Sequence, residues 1–321
     1  MNYESVFEEN KKKWFDFKSN ENNKKIRIRD AAKILKTSEA NLLSTQINDN
    51  VFFLKLDLEY FFHVIKTIDK LMFLTRNDII VHELILGGDQ IIYAQDRILF
   101  HENNIPILSI NKDDIKFSFF ETSYHGKKQL HSLQLFDAVG EAVLKIYLKG
   151  KDQEKFLKIK SKQKVDYNFE VQKINVKSYI KTKNNFDIFY DFSEDANVRF
   201  DVIKHSKFIL RDLIENFSKE KLPIQIHGFG NNTLQYFFGK IKNIVDFGPW
   251  INIIDKKFNL HVLEDKIKYS QINRFSHGNI NYVSVEFFDK NNNNVLGISS
   301  LKDNQKKFQQ IIDKIGVLYN A

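Results

Sequence analysis

Nine histidines and no cysteine set the chemical repertoire of this 321-residue chain. Without thiols, disulfides, thiolate nucleophiles and Cys-ligated zinc or iron–sulfur centres are excluded, which leaves imidazole and carboxylate as candidate ligands. His82-Glu83 and His101-Glu102 each offer both groups. They lie in strand-like sequence, where neighbouring side chains point to opposite faces, so neither pair chelates through both side chains. His82 reads as structural. His227 stands in Ile224-Gln225-Ile226-His227-Gly228-Phe229-Gly230, where glycines either let a ligand approach the backbone or, more commonly, mark a bend or bulge. His205, in Ile203-Lys204-His205-Ser206, reads as a helix histidine facing solvent. Phosphate-loop and dinucleotide fingerprints are not matched, and a Ser-His-Asp triad is a spatial arrangement that a single sequence does not display.

The elements that must position these groups come in two copies. Ser132-Leu133-Gln134-Leu135-Phe136-Asp137 returns as Ser284-Val285-Glu286-Phe287-Phe288-Asp289. Ile115 to Glu121 leads into the first hexamer and Phe258 to Glu264 into the second, so the order of elements repeats as well. The first half opens with short helices at 8–18, 29–35, 37–43 and 60–71, and Thr37-Ser38 provides a cap with Glu39 at the positive end of the dipole. β-branched and aromatic runs follow at 72–76, 79–86, 90–94, 97–101, 115–124, 130–137 and 142–148, separated by Asn, Asp and Gly. A basic helix is expected at 152–162, another helix at 202–217, strands from 224 to 301 and an amphipathic helix at 304–319. The fold class is therefore α+β, a tandem duplication with two large antiparallel sheets and flanking helices, divided into halves at 1–165 and 166–321. The two early helices have the outline of a DNA-reading unit, yet the second carries few side chains suited to base edges.

Hydrophobic residues at 42% and charged residues at 28% describe a globular chain with no apolar run of about 18 residues to span a bilayer. The stretch from Met1 to Lys13 lacks an apolar secretory core. The expectation is a cytoplasmic protein without membrane insertion. A formal charge of +8 accompanies Lys-, Asn-, Ile- and Phe-rich composition in which the lysines are scattered rather than striped. That pattern predicts no specific nucleic acid, although a basic surface also suits other anions. The 30 phenylalanines could wall a flat ligand and equally fill an ordinary core.

Leu74-Thr75-Arg76-Asn77-Asp78 with Val81-His82-Glu83, the two hexamers, Ala142 to Tyr147, Gly248-Pro249-Trp250-Ile251-Asn252-Ile253 and Phe258-Asn259-Leu260-His261 follow one another in a telling order. Together they resemble the bacterial haemin-degrading and haem-transport family of duplicated cytoplasmic proteins. The resemblance implies haem held in a cleft between a sheet and helices of the second half. It further implies an axial histidine on a helix early in that half, cations at the propionates, and a haem-uptake system or electron donor as partner. Neutral imidazole ligates iron, cations neutralise propionates, and an apolar pocket excludes water from the macrocycle.

The chain departs from that pattern where it matters most. Asn184-Asn185-Phe186-Asp187-Ile188-Phe189-Tyr190 occupies the place of the ligand histidine. A family arginine corresponds to Lys116, and a family tyrosine and arginine fall at about Ser299 and Lys302. Lysine keeps the charge and loses the planar fork that arginine offers a carboxylate. Arg199 is a replacement cation, and His205 is the substitute axial ligand the sequence names. Haem binding, storage or transfer with possible oxidative breakdown is the functional expectation; the alternative is a repurposed scaffold that has lost haem and acts as an interaction protein.

Overall fold

A computed structural model describes residues 3–93, 97–102, 105–174, 197–204, 208–230, 233–277 and 280–319. In chain order the elements begin with α1 (Tyr3–Ser19), α2 (Ile28–Ile34), α3 (Glu39–Ser44), β1 (Val51–Leu54) and α4 (Leu58–Ile65). Strands β2 (Leu71–Arg76), β3 (Ile80–Leu86), β4 (Ile91–Tyr93), β5 (Arg97–Glu102), β6 (Ile105–Asn111), β7 (Phe117–His125), β8 (Lys128–Phe136) and β9 (Ala142–Leu148) precede α5 (Gln153–Gln163). Then come β10 (Asn197–Lys204), α6 (Phe208–Lys219), β11 (Ile224–Phe229), β12 (Thr233–Gly239), β13 (Ile244–Phe247), β14 (Trp250–Ile254), β15 (Phe258–Leu263), β16 (Tyr269–His277), β17 (Ile280–Phe288), β18 (Asn294–Ser299) and α7 (Gln305–Tyr319). The strands form two large antiparallel sheets.

Two compact units emerge, and neither is one stretch of chain. The first comprises Met1–Phe73, Leu86–Asn103 and Ile110–Thr182, the second Leu74–Ile85, Asn104–Ser109 and Lys183–Ala321. Within the first, β1, β7, β8 and β9 pair in that order. Ala40, Leu43, Val51, Phe53, Phe119, Phe136 and Val171 are buried together between this sheet and the N-terminal helices. Within the second, β10, β16, β17, β18, β11 and β12 form one antiparallel run, and β3, β15, β14 and β13 another. Helices α6 and α7 meet through stacked Phe217 and Phe308, whose ring centroids are 4.9 Å apart.

The duplication is carried down to backbone detail. Phe117 faces Phe136 in register, as Tyr269 faces Phe288, and each pairing with the next strand shifts by one residue just before that phenylalanine. Such a bulge bends a strand at a set place and is kept where the bend is needed. The turns that follow match as well. Asp137 accepts from the backbone N–H groups of Val139 and Glu141, and Asp289 from those of Asn291 and Asn293. Gly140 and Asn292 occupy the same left-handed position at φ 76° and 62°, where glycine and asparagine carry the least strain.

Three sequence expectations need correction. Ile115 to Glu121 corresponds to Ile267 to Asn273 rather than to Phe258 to Glu264, because the Lys116 and Lys268 amides make the same bond to the carbonyls of Phe136 and Phe288. The helix expected at 202–217 is two elements, since the alternating Val198, Phe200 and Val202 pair as a strand with β16 and the helix starts at Phe208. Strands β1 and β6 were not read, being short and flanked by polar sequence. Ser38 does cap α3, its Oγ accepting from the Asn41 amide at 3.1 Å. All six residues of α3 are buried, so it presents no face to a DNA groove.

Candidate functional site

Residues directly opposite each other on antiparallel neighbours share a face, and residues two apart on one strand do too. In the second unit this rule lines up Tyr236, His227, Gly297, Glu286 and Gln271 across β12, β11, β18, β17 and β16. Two residues away on the same face run Gln225, Ser299, Ser284 and Asn273. Between these polar rows, Ile226, Ile298, Val285 and Ile272 point to the opposite face, all buried. The sheet thus has an apolar face and, on its other side, a polar patch that is nevertheless buried: His227 is 3% exposed, Glu286 1%, Ser284 1% and Ser299 0%.

The patch is built around an absent side chain. A Cβ on Gly297 would overlap both His227 Nε2 and Glu286 Oε2, so only glycine lets the imidazole of β11 cross to the carboxylate of β17. His227 Nε2 lies 2.9 Å from Glu286 Oε2 and 3.1 Å from Oε1. Asn294 Nδ2 also donates to Oε2 at 2.9 Å. Burial works to raise the carboxyl's pKa, but the His227 charge and the hydrogen bonds outweigh it and hold Glu286 below the ordinary carboxylate range. An ionised carboxylate only accepts, so Nε2 carries the proton of this bond. His227 Nδ1 and Ser299 Oγ are buried without a hydrogen-bond partner in the structure. Native proteins rarely leave such atoms orphaned, and each one calls for a water, an ion or a ligand. Aromatic rings frame the imidazole: Phe229 stands edge-on at 5.5 Å and Tyr236 at 5.8 Å.

His82, also in the second unit, is fully buried on β3 with the Phe258 ring edge-on at 4.9 Å. Burial, then the charge of His227, pushes its pKa down to about 3. It is therefore neutral at physiological pH, in keeping with a structural histidine.

The first unit builds the equivalent rung differently. Gln134 takes the place of Glu286, and Lys145 opposes it where Gly297 opposes Glu286. The Lys145 Nζ reaches Glu39 Oε1 on α3 at 2.5 Å, with side chains 8% and 1% exposed. Burial opposes the ammonium charge, yet Glu39 outweighs it and keeps the Lys145 pKa above its ordinary value. Glu121 accepts from Ser132 and Gln134 on the same sheet, and burial raises its pKa.

The residues named from sequence are dispersed. Ser299 is in the buried polar patch. Lys302 is exposed in the short 3-10 turn before α7. Arg199 lies opposite Arg274 on β10, in a row of opposite parity to Ser299; Arg274 in turn reaches Gln309 and Asp313 of α7. Lys116 is exposed and, with Lys55 and Lys112, borders a cleft of about 440 Å³ in the first unit. Phe53, Leu54, Leu58, Ile115 and Val165 supply its apolar wall. His205 and the segment Asn184 to Tyr190 lie outside the described residues. Among the described residues no group of three or more His, Asp or Glu could hold a metal ion, and no helix is long and apolar enough to cross a membrane.

Comparison with known proteins decides the family. A model of the haemin-degrading HemS.ChuX domain matches residues 36–162 and again 202–315, one match to each repeat copy and well over half the chain together. The chain belongs to the HemS.ChuX family. It is 22% identical over 275 residues to the hemin transport protein HemS of Yersinia enterocolitica, covering 77% of this chain and 79% of that one. Identity to HmuS of Yersinia pestis is 20%, with the same coverage. In fold it resembles the heme degrading enzyme ChuS of Escherichia coli O157:H7, at a TM-score of 0.80 and 17% identity over 95% of this chain and 98% of that one. Holo-PhuS, a heme-binding protein from Pseudomonas aeruginosa, superposes at a TM-score of 0.78 and 18% identity over 94% and 97%.

For a HemS.ChuX protein the relevant ligand is haem. Haem needs a Lewis base for iron, cations for two propionates and apolar walls. The first unit offers a lysine-rimmed cleft with part of its wall apolar, whereas His227 and Ser299 of the second unit are too deeply buried to face a macrocycle. Sequence reading missed the His227–Glu286 pair. Its signals were present: Glu286 in a central hexamer of strand pattern, and a lone glycine at 297 inside another strand.

Proposed function

We propose that this chain binds haem as its cargo, receiving it from a haem-uptake system in the cytoplasm and holding it for transfer, storage or oxidative breakdown with an external electron donor. The observation that supports this reading is the family match to both repeat copies, joined to a fold that keeps the bulges and turns of each copy intact. Chemically, haem would supply iron as a Lewis acid and a flat apolar macrocycle, while the chain supplies an imidazole, cations for the carboxylates and exclusion of water.

The test is titration of the purified protein with haemin, followed by absorbance in the Soret region. Saturable binding at micromolar concentration is the expected result. Lys116→Ala and Lys302→Ala, assayed separately, should each weaken it by roughly two- to tenfold with little change in the iron spectrum, since exposed lysines act as point charges. Absence of saturable binding by the wild-type chain rejects the haem reading in favour of a repurposed scaffold.

A further inference from the structure

The two repeat copies part company at one end of their sheets. In the first copy the β1–β7 ladder ends at Leu54 opposite Ser118, and the two strands then diverge. The Lys55 amide donates to the carbonyl of Gln163 at 3.0 Å, and the Lys116 amide to that of Phe136 at 2.8 Å. Ile203 and Ser270 hold the matching places in the second copy, where pairing runs one residue further, to Lys204 opposite Tyr269. Only the first copy therefore forks at this point, and the fork borders the cleft of about 440 Å³. Lys112 of that cleft corresponds, at the spacing of the repeat, to Glu264. In the second copy Arg211 of α6 reaches Glu264 at 3.8 Å and Asp246 at 2.9 Å, so an ion pair stands where the first copy sets a cation beside open space.

The cleft is small, fixed and positive. Its volume falls in the range of small-molecule sites. Its walls are pinned by backbone bonds: the Val165 amide donates to the Phe53 carbonyl at 3.1 Å, and the Asn111 side chain accepts from the Asp113 amide at 3.0 Å in the turn that carries Lys112. Lys55 and Lys116 are exposed and make no ion pair among the described residues. Asp166 is the one acidic side chain of the lining, against three lysines, so the local potential favours an anion. None of the lining residues is a histidine, methionine or tyrosine, and the chain has no cysteine, so the cleft lacks every side chain that ordinarily ligates haem iron. Lysines beside an apolar wall suit a carboxylate on an apolar body, held as a charge rather than through a planar fork.

We propose that the cleft where β1 and β7 diverge is a binding site for an apolar carboxylate, recognised by Lys55, Lys112 and Lys116 without any metal. This goes beyond the haem reading, because the group recognised is the carboxylate and iron contributes nothing. Two sources share that chemistry, a metal-free porphyrin with its propionates and a long-chain fatty acid.

The experiment titrates the full chain with protoporphyrin IX, followed by its fluorescence, and with palmitate by calorimetry. Saturable binding of either at micromolar concentration is the expected result, and which one binds identifies the source. Lys55→Ala and Lys116→Ala should each weaken it by about two- to fivefold, and the double variant Lys55→Glu with Lys116→Glu by at least about tenfold. Lys116→Arg should bind as wild type, added salt should weaken binding, and the dimethyl ester of protoporphyrin should bind at least about tenfold more weakly than the acid. All these positions are exposed, and thermal melts confirm that the variants fold. If neither ligand binds saturably, or if the folded double variant binds as wild type, the site is overturned. Parallel titration with haemin keeps the two readings apart. Haemin binding without binding of either metal-free ligand rejects the cleft and leaves the haem reading standing, whereas lysine-dependent binding of palmitate by a chain that takes up no haemin supports the cleft and rejects the haem reading.

Discussion

The two repeat copies share a bulge, a turn and a strand register, and they differ at one rung of the sheet. In the first, Lys145 crosses to Glu39 of α3, so the rung is closed by an ion pair that ties helix to sheet. In the second, glycine replaces the lysine and an imidazole enters from the neighbouring strand to meet Glu286, with its Nδ1 buried and without a hydrogen-bond partner. One address ties a helix to its sheet, and the other ties two strands of one sheet through their side chains. Removing one partner of either buried pair leaves the other group desolvated, which is why both rungs are closed by a second side chain.

The largest effect should come from breaking the anchored rung. Lys145→Ala takes the ion-pair partner from the buried Glu39 carboxylate, and is expected to cost about 3–5 kcal/mol of unfolding free energy. Lys145→Met combined with Glu39→Leu should recover most of that loss, because desolvation then disappears with the charges. Urea denaturation measures both, and a Lys145→Ala chain as stable as wild type would dissolve the contrast between the rungs.

Gly297→Ala should follow, at about 1–3 kcal/mol, since its new Cβ overlaps the His227–Glu286 pair and must push apart two buried groups.

The matched turns give a comparison by pH. Asp137 is 3% exposed, covered where the Ala40 amide bonds to Gly140 and Arg29 reaches Glu141. Burial, partly offset by the bonds from Glu141 and Val139, pushes its pKa up to about 6 from 3.8. Its folded form therefore holds the proton more tightly than the unfolded chain does. That contribution to stability is complete below pH 3.8 and is lost as pH rises through about 6. Asp137→Asn keeps an acceptor oxygen and removes the charge, so it should raise stability at pH 7 by about 1–2 kcal/mol and flatten the pH dependence between 4 and 6. Asp289→Asn in the second turn, whose aspartate is half-buried, should change stability at pH 7 by less. Melting curves at pH 4.5 and 7 compare them, and equal behaviour of the two variants would count against unequal burial of the turns.

Much of this molecule was legible as sequence. The paired hexamers announced the duplication because period-2 alternation fixes which side chains share a face, and a one-residue slip would turn every one of them over. The Ser38 cap and the apolar stripe of α7 were equally local, each set by residues within a turn or two of each other. The family resemblance followed from the order of such segments. What sequence did not disclose was register between distant strands. Nothing near His227 names Glu286, 59 positions away, and nothing near Lys145 names Glu39, 106 positions away. These pairs exist because sheet pairing brings remote residues within about 5 Å and burial then makes an unpartnered charge too costly to keep. The sequence alone therefore determined the repeat, most of the element types and the family, through short-range periodicity. Only the tertiary structure decided that one copy closes its rung with a lysine–glutamate pair and the other with a histidine–glutamate pair, since burial and distance are properties of the packed sheet.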